Sequence, residues 1–308
     1  LTFASWPCLL HSEDFRGHFR SLTALALRMA PCRFAILSIP RAGSALLAER
    51  LNAHPQLACE GEIFHPRPQD QLSLRALNSV DLSLRESRPW RYIAAVLESA
   101  ARDAHAAGFR YLADRHTIAE RCILLDRSIR KVVLIRHNLL ASFASHKQAL
   151  LGGVWTLRRS AVDRVARREP PEAERVPFAA EEFHAYCRHA GDVYARYLGT
   201  VIATGQPLKV VNYWDVVSEQ LAPLFRYLGV DADAPLRARS DALVKLGSAD
   251  IASRFSNPGH VCECLIEYGR RDWLIEQAPD PALDGSAELD RLASGSAAQR
   301  RSAPAVEQ

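Results

Sequence analysis

The chain has no long hydrophobic run. Nowhere in its 308 residues do apolar side chains continue over the roughly 20 positions a membrane helix needs, so no membrane span is expected. It has no strong charge of either sign. Its 39 Lys and Arg stand against 35 Asp and Glu, a net of +4, too mild to point to nucleic acid but suited to a site for an anionic ligand. It also has no cysteine framework. The seven Cys are odd in number and scattered, which favours reduced thiols and a cytoplasmic setting. No internal repeat is evident, and 48% hydrophobic with 24% charged is ordinary for a soluble globular protein. His260, Cys262 and Cys264 are potential metal ligands, but they sit two apart, closer than structural zinc spacing, and lack a second half. They are read as thiols of a C-terminal segment, with no metal site.

What is present alternates between short apolar runs and helical periodicity. Arg33 to Ile39 reads as a buried strand ending at Pro40. Ser44 to Asn52 reads as a helix with Ser44 as N-cap, ended by His54-Pro55. Pro89 to Ala107 reads as a helix stopped by Gly108, followed by a strand over Phe109 to Ala113. Thr117 to Asp126 reads as a helix with Ile118, Cys122 and Leu125 on one face. Lys131 to Ile135 is the clearest β run, leading through Arg136-His137-Asn138 into a helix closed by Gly152-Gly153. A long amphipathic helix over Ala179 to Thr204 carries the stripe Phe183, Cys187, Ala190, Val193, Tyr197 and Val201. Leu208 to Asn212 is a further strand and Ser218 to Tyr227 a helix. The charged, proline-rich stretch from Arg164 to Pro177 reads as an exposed loop.

This alternation argues for an α/β fold with a mostly parallel sheet covered on both faces and helical insertions. Residues 31–285 form the expected domain. Residues 1–30 are a leader or extension without the order of a secretory signal, and 286–308 a low-complexity tail.

The first strand delivers the chain to Pro40-Arg41-Ala42-Gly43-Ser44 and then to a helix. Such a turn aims backbone N–H groups and a helix dipole at an anion. Gly43 permits close approach, Arg41 adds a forked cation, and Ser44 a hydroxyl. The full Walker pattern G-x-x-x-x-G-K-[ST] is absent, which counts against an ATP-dependent small-molecule kinase.

Residues Phe34 to Pro55 resemble the 5'-phosphosulfate-binding loop of sulfotransferases that use 3'-phosphoadenosine 5'-phosphosulfate (PAPS), nearest in flavour to bacterial carbohydrate enzymes acting on Nod factors or trehalose. Ala42 and Ala45 stand where that family often has hydroxyl residues. Lys131 to Lys147 resemble its 3'-phosphate element, with Arg136 as the arginine, Ser145 as the serine nine residues on, and Ser142 as an alternative. Lys209 to Val230, with Tyr213-Trp214-Asp215-Val216, resemble a late strand and helix of the family, with core-packing roles.

The resemblance implies a P-loop NTPase-like three-layer sandwich and a cytoplasmic O-sulfotransferase that requires no metal. The donor is PAPS, held by Arg41, Ala42, Gly43, Ser44, Ala45, Arg136 and Ser145, and the product is adenosine 3',5'-bisphosphate. Glu62 is implied as the base that deprotonates the acceptor, with Glu60 and His65 behind it, and Arg41 acts on the transferring group. The acceptor is a hydroxyl of a carbohydrate, glycolipid or small metabolite. A family lysine near Asp114-Arg115-His116 has Arg115 or Asp114 in its place. Arg158, Arg159, Arg164, Arg167 and Arg168 form a solvated basic face or a flap, and Gly269 to Trp273 loosely resemble a late donor loop. The other reading is a catalytically degenerate nucleotide-binding protein of the same fold.

Overall fold

The computed structural model describes residues 31–153, 155, 175–238 and 248–277. The expected leader, the low-complexity tail and the arginines of the basic face lie outside the described residues, as does most of the proline-rich stretch.

Five strands, β1 (Cys32–Ser38), β2 (Leu57–Glu62), β3 (Ala106–Leu112), β4 (Ile129–Ile135) and β5 (Leu208–Asn212), form one sheet in the order β2-β3-β1-β4-β5. Every pairing is parallel. Parallel neighbours need long crossovers, and here these are helices on both faces, giving a three-layer α/β sandwich.

The sheet's period of two is visible in β1. Ala35 and Leu37 enter one core, under helices α4 (Pro89–Ala100), α5 (Thr117–Leu125) and α7 (Ala180–Ala203). Phe34 and Ile36 enter the other, under α1 (Ser44–Ala53) and α9 (Ala222–Leu228). A third cluster joins α6 (Leu139–Gly152) and α7 to α10 (Pro258–Glu267) through Phe143, Phe183, Phe255 and Trp273. The stripe expected on α7 is buried at all six positions. Among the described residues no helix is long and apolar enough to cross a membrane, and the six cysteines there are free.

Several local expectations are corrected. The helix expected to run to Ala107 stops at Ala100, and Gly108 lies inside β3. There a Cβ would run into the Phe34 ring, so this glycine answers to packing between strands rather than to a helix stop. Strand β2 was not anticipated. It is an edge strand whose sequence, LACEGE, carries two glutamates and a glycine, with a register shift between Glu60 and Glu62. On α5 the buried face is Ala119, Ile123 and Leu124, while Ile118 and Leu125 face solvent. The helix expected from Ser218 to Tyr227 begins only at Ala222, as α9, and a separate short helix, α8 (Tyr213–Val217), precedes it. His260, Cys262 and Cys264 lie on α10, where His260 is exposed and Cys264 buried against His184.

With all five strands parallel, their carboxyl ends share one edge of the sheet. The turns leaving them bring Arg41, Glu62, Arg115, Arg136 and Tyr213 to that edge.

Candidate functional site

The turn after β1 has unusual backbone geometry. Arg41 has φ 65° and Gly43 φ 99°, both in the left-handed region. Gly43, not Ser44, is the N-cap of α1, and Ser44 is the first helical residue. Gly43 has no side chain to cap the helix, and the first turn holds no acidic residue. The N–H groups and positive dipole end of α1 are therefore left for an anion. Gly43 also lies beneath the Tyr213 ring, and a Cβ there would come 2.6 Å from Tyr213 Cδ2. The side chain of Ala42 is fully buried in the core under α4 and α5, so a small apolar residue at this position packs the turn down. Ala45 is partly buried on the first turn of α1.

The two halves expected to hold a donor interlock. Arg41 Nε donates to Ser145 Oγ at 2.9 Å, and its Nη1 donates to the Trp155 carbonyl. Arg136, at the end of β4, donates from Nη1 to the Arg41 carbonyl at 3.0 Å. Its guanidinium lies 4.3 Å from the centre of the Tyr213 ring, a cation–π contact. Burial and the nearby Arg136 charge lower the Arg41 pKa, while burial raises that of Tyr213 against the pull of Arg136. Ser142, the alternative to Ser145, is fully buried and sits beside the Tyr186 side chain. Ser145 is the serine in contact with the turn.

Tyr213 therefore does more than fill the core, the role its sequence suggested. It covers the glycine of the turn and stacks on the arginine of β4. The order of Tyr213 directly after β5 was the available signal, since a residue there must sit at the carboxyl edge.

The acceptor-side residues sort themselves by partner. Glu60 is taken up by structure: it accepts from Ser73 N and Ser73 Oγ, both at 2.7 Å, at the start of the helix Leu74–Ser79. His65 packs against the Arg67 backbone in an exposed loop. Glu62 is buried and ion-paired to Arg115 Nε at 2.6 Å. Asp114, at φ 62°, instead meets His189 and Arg196, both at 3.1 Å, so Arg115 is the residue turned toward the site. From β3, Arg110 reaches Gln71 Oε1 at 2.7 Å and Ser44 Oγ at 3.4 Å, linking the segment after β2 to α1. Burial lowers the Arg110 pKa, with Cys59 and Glu62 acting against it.

Two further residues were not anticipated. His146 follows Ser145 on α6, and its Nδ1 is buried without a partner. Burial, then Arg41 and Arg115, lower its pKa. Glu276 approaches from the C-terminal segment and is paired with both Arg136 and Arg254. In the Gly269–Trp273 segment, expected as a donor loop, Arg270 pairs with Asp272 at 3.1 Å and stacks on Trp273, whose carbonyl accepts from Asn138 Nδ2 at 3.0 Å.

Taken together, the edge carries an uncapped helix N-terminus, the arginines Arg41, Arg115 and Arg136, a serine and two buried carboxylates, Glu62 paired with Arg115 and Glu276 paired with Arg136. This can bind an anion with charge at two separated points and take a proton beside it.

No family model matches the chain. Nodulation protein H of Rhizobium tropici is 28% identical over 210 residues, which cover 66% of this chain and 78% of that protein. Among solved structures, a sulfotransferase from Alicyclobacillus acidocaldarius is similar at a TM-score of 0.43 and 14% identity, covering 81% of this chain and 97% of that one. The sulfotransferase domain from the curacin biosynthetic pathway gives 0.40 at 19% identity, covering 87% and 98%.

Proposed function

We propose that this chain is a sulfotransferase that draws a sulfuryl group from PAPS and delivers it to a hydroxyl of a carbohydrate, glycolipid or small metabolite, a reading supported by its similarity to nodulation protein H. When bound, PAPS supplies the activated sulfuryl group. The remaining chemistry falls to the protein's own residues.

The observation that carries this reading is the interlock between Arg41, Ser145 and Arg136. Two segments about 95 residues apart, one suited to a phosphosulfate and one to a 3'-phosphate, meet at a single site. The fit to the donor is supported by the uncapped start of α1 and by Gly43 held flat under Tyr213. In the proposed arrangement the N–H groups of residues 42–45 and the Arg41 guanidinium hold the phosphosulfate end. Arg136 and Ser145 hold the 3'-phosphate, with the hydroxyl complementing the guanidinium fork. Charge that develops on the leaving phosphate meets these fixed donors, which need not reorganise.

Glu62 is proposed as the base. It takes the proton of the acceptor hydroxyl as the acceptor oxygen bonds to sulfur and the bond from sulfur to the phosphate oxygen breaks. Adenosine 3',5'-bisphosphate departs with the bond's electron pair. Arg115, at 2.6 Å, keeps the Glu62 carboxylate oriented at the end of β2. The buried Ala42 side chain supports an active site over a degenerate one, because its methyl group fills core space and backbone N–H groups remain to bind the anion.

The test is calorimetric titration with adenosine 3',5'-bisphosphate, followed by transfer of labelled sulfate from PAPS to a panel of hydroxyl acceptors. Saturable binding and a labelled product are expected. No binding at millimolar nucleotide would overturn the donor assignment, and binding without transfer to any acceptor would favour the degenerate reading.

A further inference from the structure

Arg136 has a second partner that a donor-binding arginine should not need. Its Nη2 meets the carboxylate of Glu276, and the other oxygen of that carboxylate accepts from Arg254 Nη2 at 3.0 Å. All three side chains are buried, with 9%, 1% and 2% of side-chain surface exposed for Arg136, Glu276 and Arg254. Burial lowers the Arg254 pKa and Glu276 raises it. Glu276 is delivered by a short antiparallel contact: its N–H donates to the Ala249 carbonyl at 2.8 Å, and Ile251 N–H donates to the Leu274 carbonyl at 2.8 Å. Ile251 of this contact is buried in the third cluster, and Asn138 Nδ2, two residues beyond Arg136, donates to the Trp273 carbonyl at 3.0 Å.

A carboxylate resembles one face of a phosphate: two oxygens that accept from guanidinium forks. A 3'-phosphate brought to Arg136 would meet Glu276 at the same donors, and two anions sharing them repel. We propose that Glu276 is a built-in competitor for the 3'-phosphate position, which holds Arg136 and Arg254 in register while no nucleotide is bound and must give up Arg136 when one binds. This inference rests on the donor-site reading above. It adds that donor affinity is set below its ceiling by this residue, because only the fraction of molecules with Glu276 withdrawn is competent to bind.

Calorimetry with adenosine 3',5'-bisphosphate and with 5'-AMP on the full chain tests it. Glu276→Gln keeps the shape and removes the charge. The bisphosphate should bind it about tenfold or more tighter than wild type, while 5'-AMP, which lacks the 3'-phosphate, binds as before. Bisphosphate binding that is unchanged or weaker in Glu276→Gln overturns the proposal and makes Glu276 a structural support of Arg136. Should two unpaired guanidiniums prevent this variant from folding, the charge-balanced pair decides. Arg254→Met with Glu276→Gln should bind the bisphosphate tighter than Arg254→Met alone, and equal or weaker binding again overturns it. The donor-site reading fails separately, and the inference with it, if wild type fails to prefer the bisphosphate over 5'-AMP.

Discussion

Replacing Gly43 with alanine tests the geometry of the turn directly. The substitution adds one methyl group, yet the structure predicts two costs. An L-residue at φ 99° is strained, at about 1–2 kcal/mol for a left-handed backbone. The new Cβ would stand 2.6 Å from Cδ2 and 2.9 Å from Cε2 of Tyr213, so the ring or the turn must move. Overpacking of this kind costs about 1–3 kcal/mol. The sum, about 2–5 kcal/mol, lowers the melting temperature. If even 1.4 kcal/mol of it is felt by the binding-competent turn, affinity for adenosine 3',5'-bisphosphate falls about tenfold. Tyr213→Ala added to Gly43→Ala removes the clash and leaves the backbone strain. The double variant should therefore be more stable than the sum of the single changes predicts. Calorimetric binding and thermal unfolding of the four proteins complete the cycle. Wild-type affinity and melting temperature in Gly43→Ala would refute the close approach of Tyr213 to this turn.

Glu62→Gln should retain bisphosphate binding and lose about a hundredfold or more in sulfuryl transfer, the usual range for a general base, and retained turnover would place the base elsewhere. Lys131 is fully buried at the opposite end of β4, bonded to the Asp126 carbonyl and Gln206, and burial brings its pKa down to about 8 from 10.5. Between pH 8 and 10.5 the unfolded chain holds this proton more tightly than the folded one, so the Lys131 contribution to stability rises with pH. Urea unfolding of wild type and Lys131→Met at pH 7.5 and pH 10, on ordinary buffers, should show wild type gaining relative to the variant at the higher pH, and a constant difference would contradict it.

The central strands were legible because burial on both faces demands unbroken apolar runs, and KVVLI and FAIL supply them. The long helix α7 was legible for the complementary reason, a stripe of six apolar residues at helical spacing. Edge strand β2 was not, since its exposed side tolerates the polar residues that disguise it. Ala104 to Gly108 misled because small residues suit a crowded strand as well as a helix, and only the Phe34 ring against Gly108 decides between them. The inverted face of α5 arose because Ile118 and Leu125 look like core by type, while Glu120 is buried through its bonds to Arg196 and Tyr197. At the site, the resemblance pointed to Arg41, Arg136, Ser145 and Glu62, and the fold brings the first three into contact. The pairing of Glu62 with Arg115 and of Arg136 with Glu276 joins positions far apart in the chain, which no local pattern encodes.

The central claim is that Arg136 and Ser145 form a site for a 3'-phosphate beside an anion-binding turn. The most direct measurement is the ratio of affinities for adenosine 3',5'-bisphosphate and 5'-AMP in wild type and in Arg136→Ala. Hydrogen bonds to a charged group are each worth about 1.5–3 kcal/mol, so wild type should prefer the bisphosphate by at least about tenfold and Arg136→Ala should lose most of that preference while still binding 5'-AMP. Equal losses for the two nucleotides would contradict the assignment.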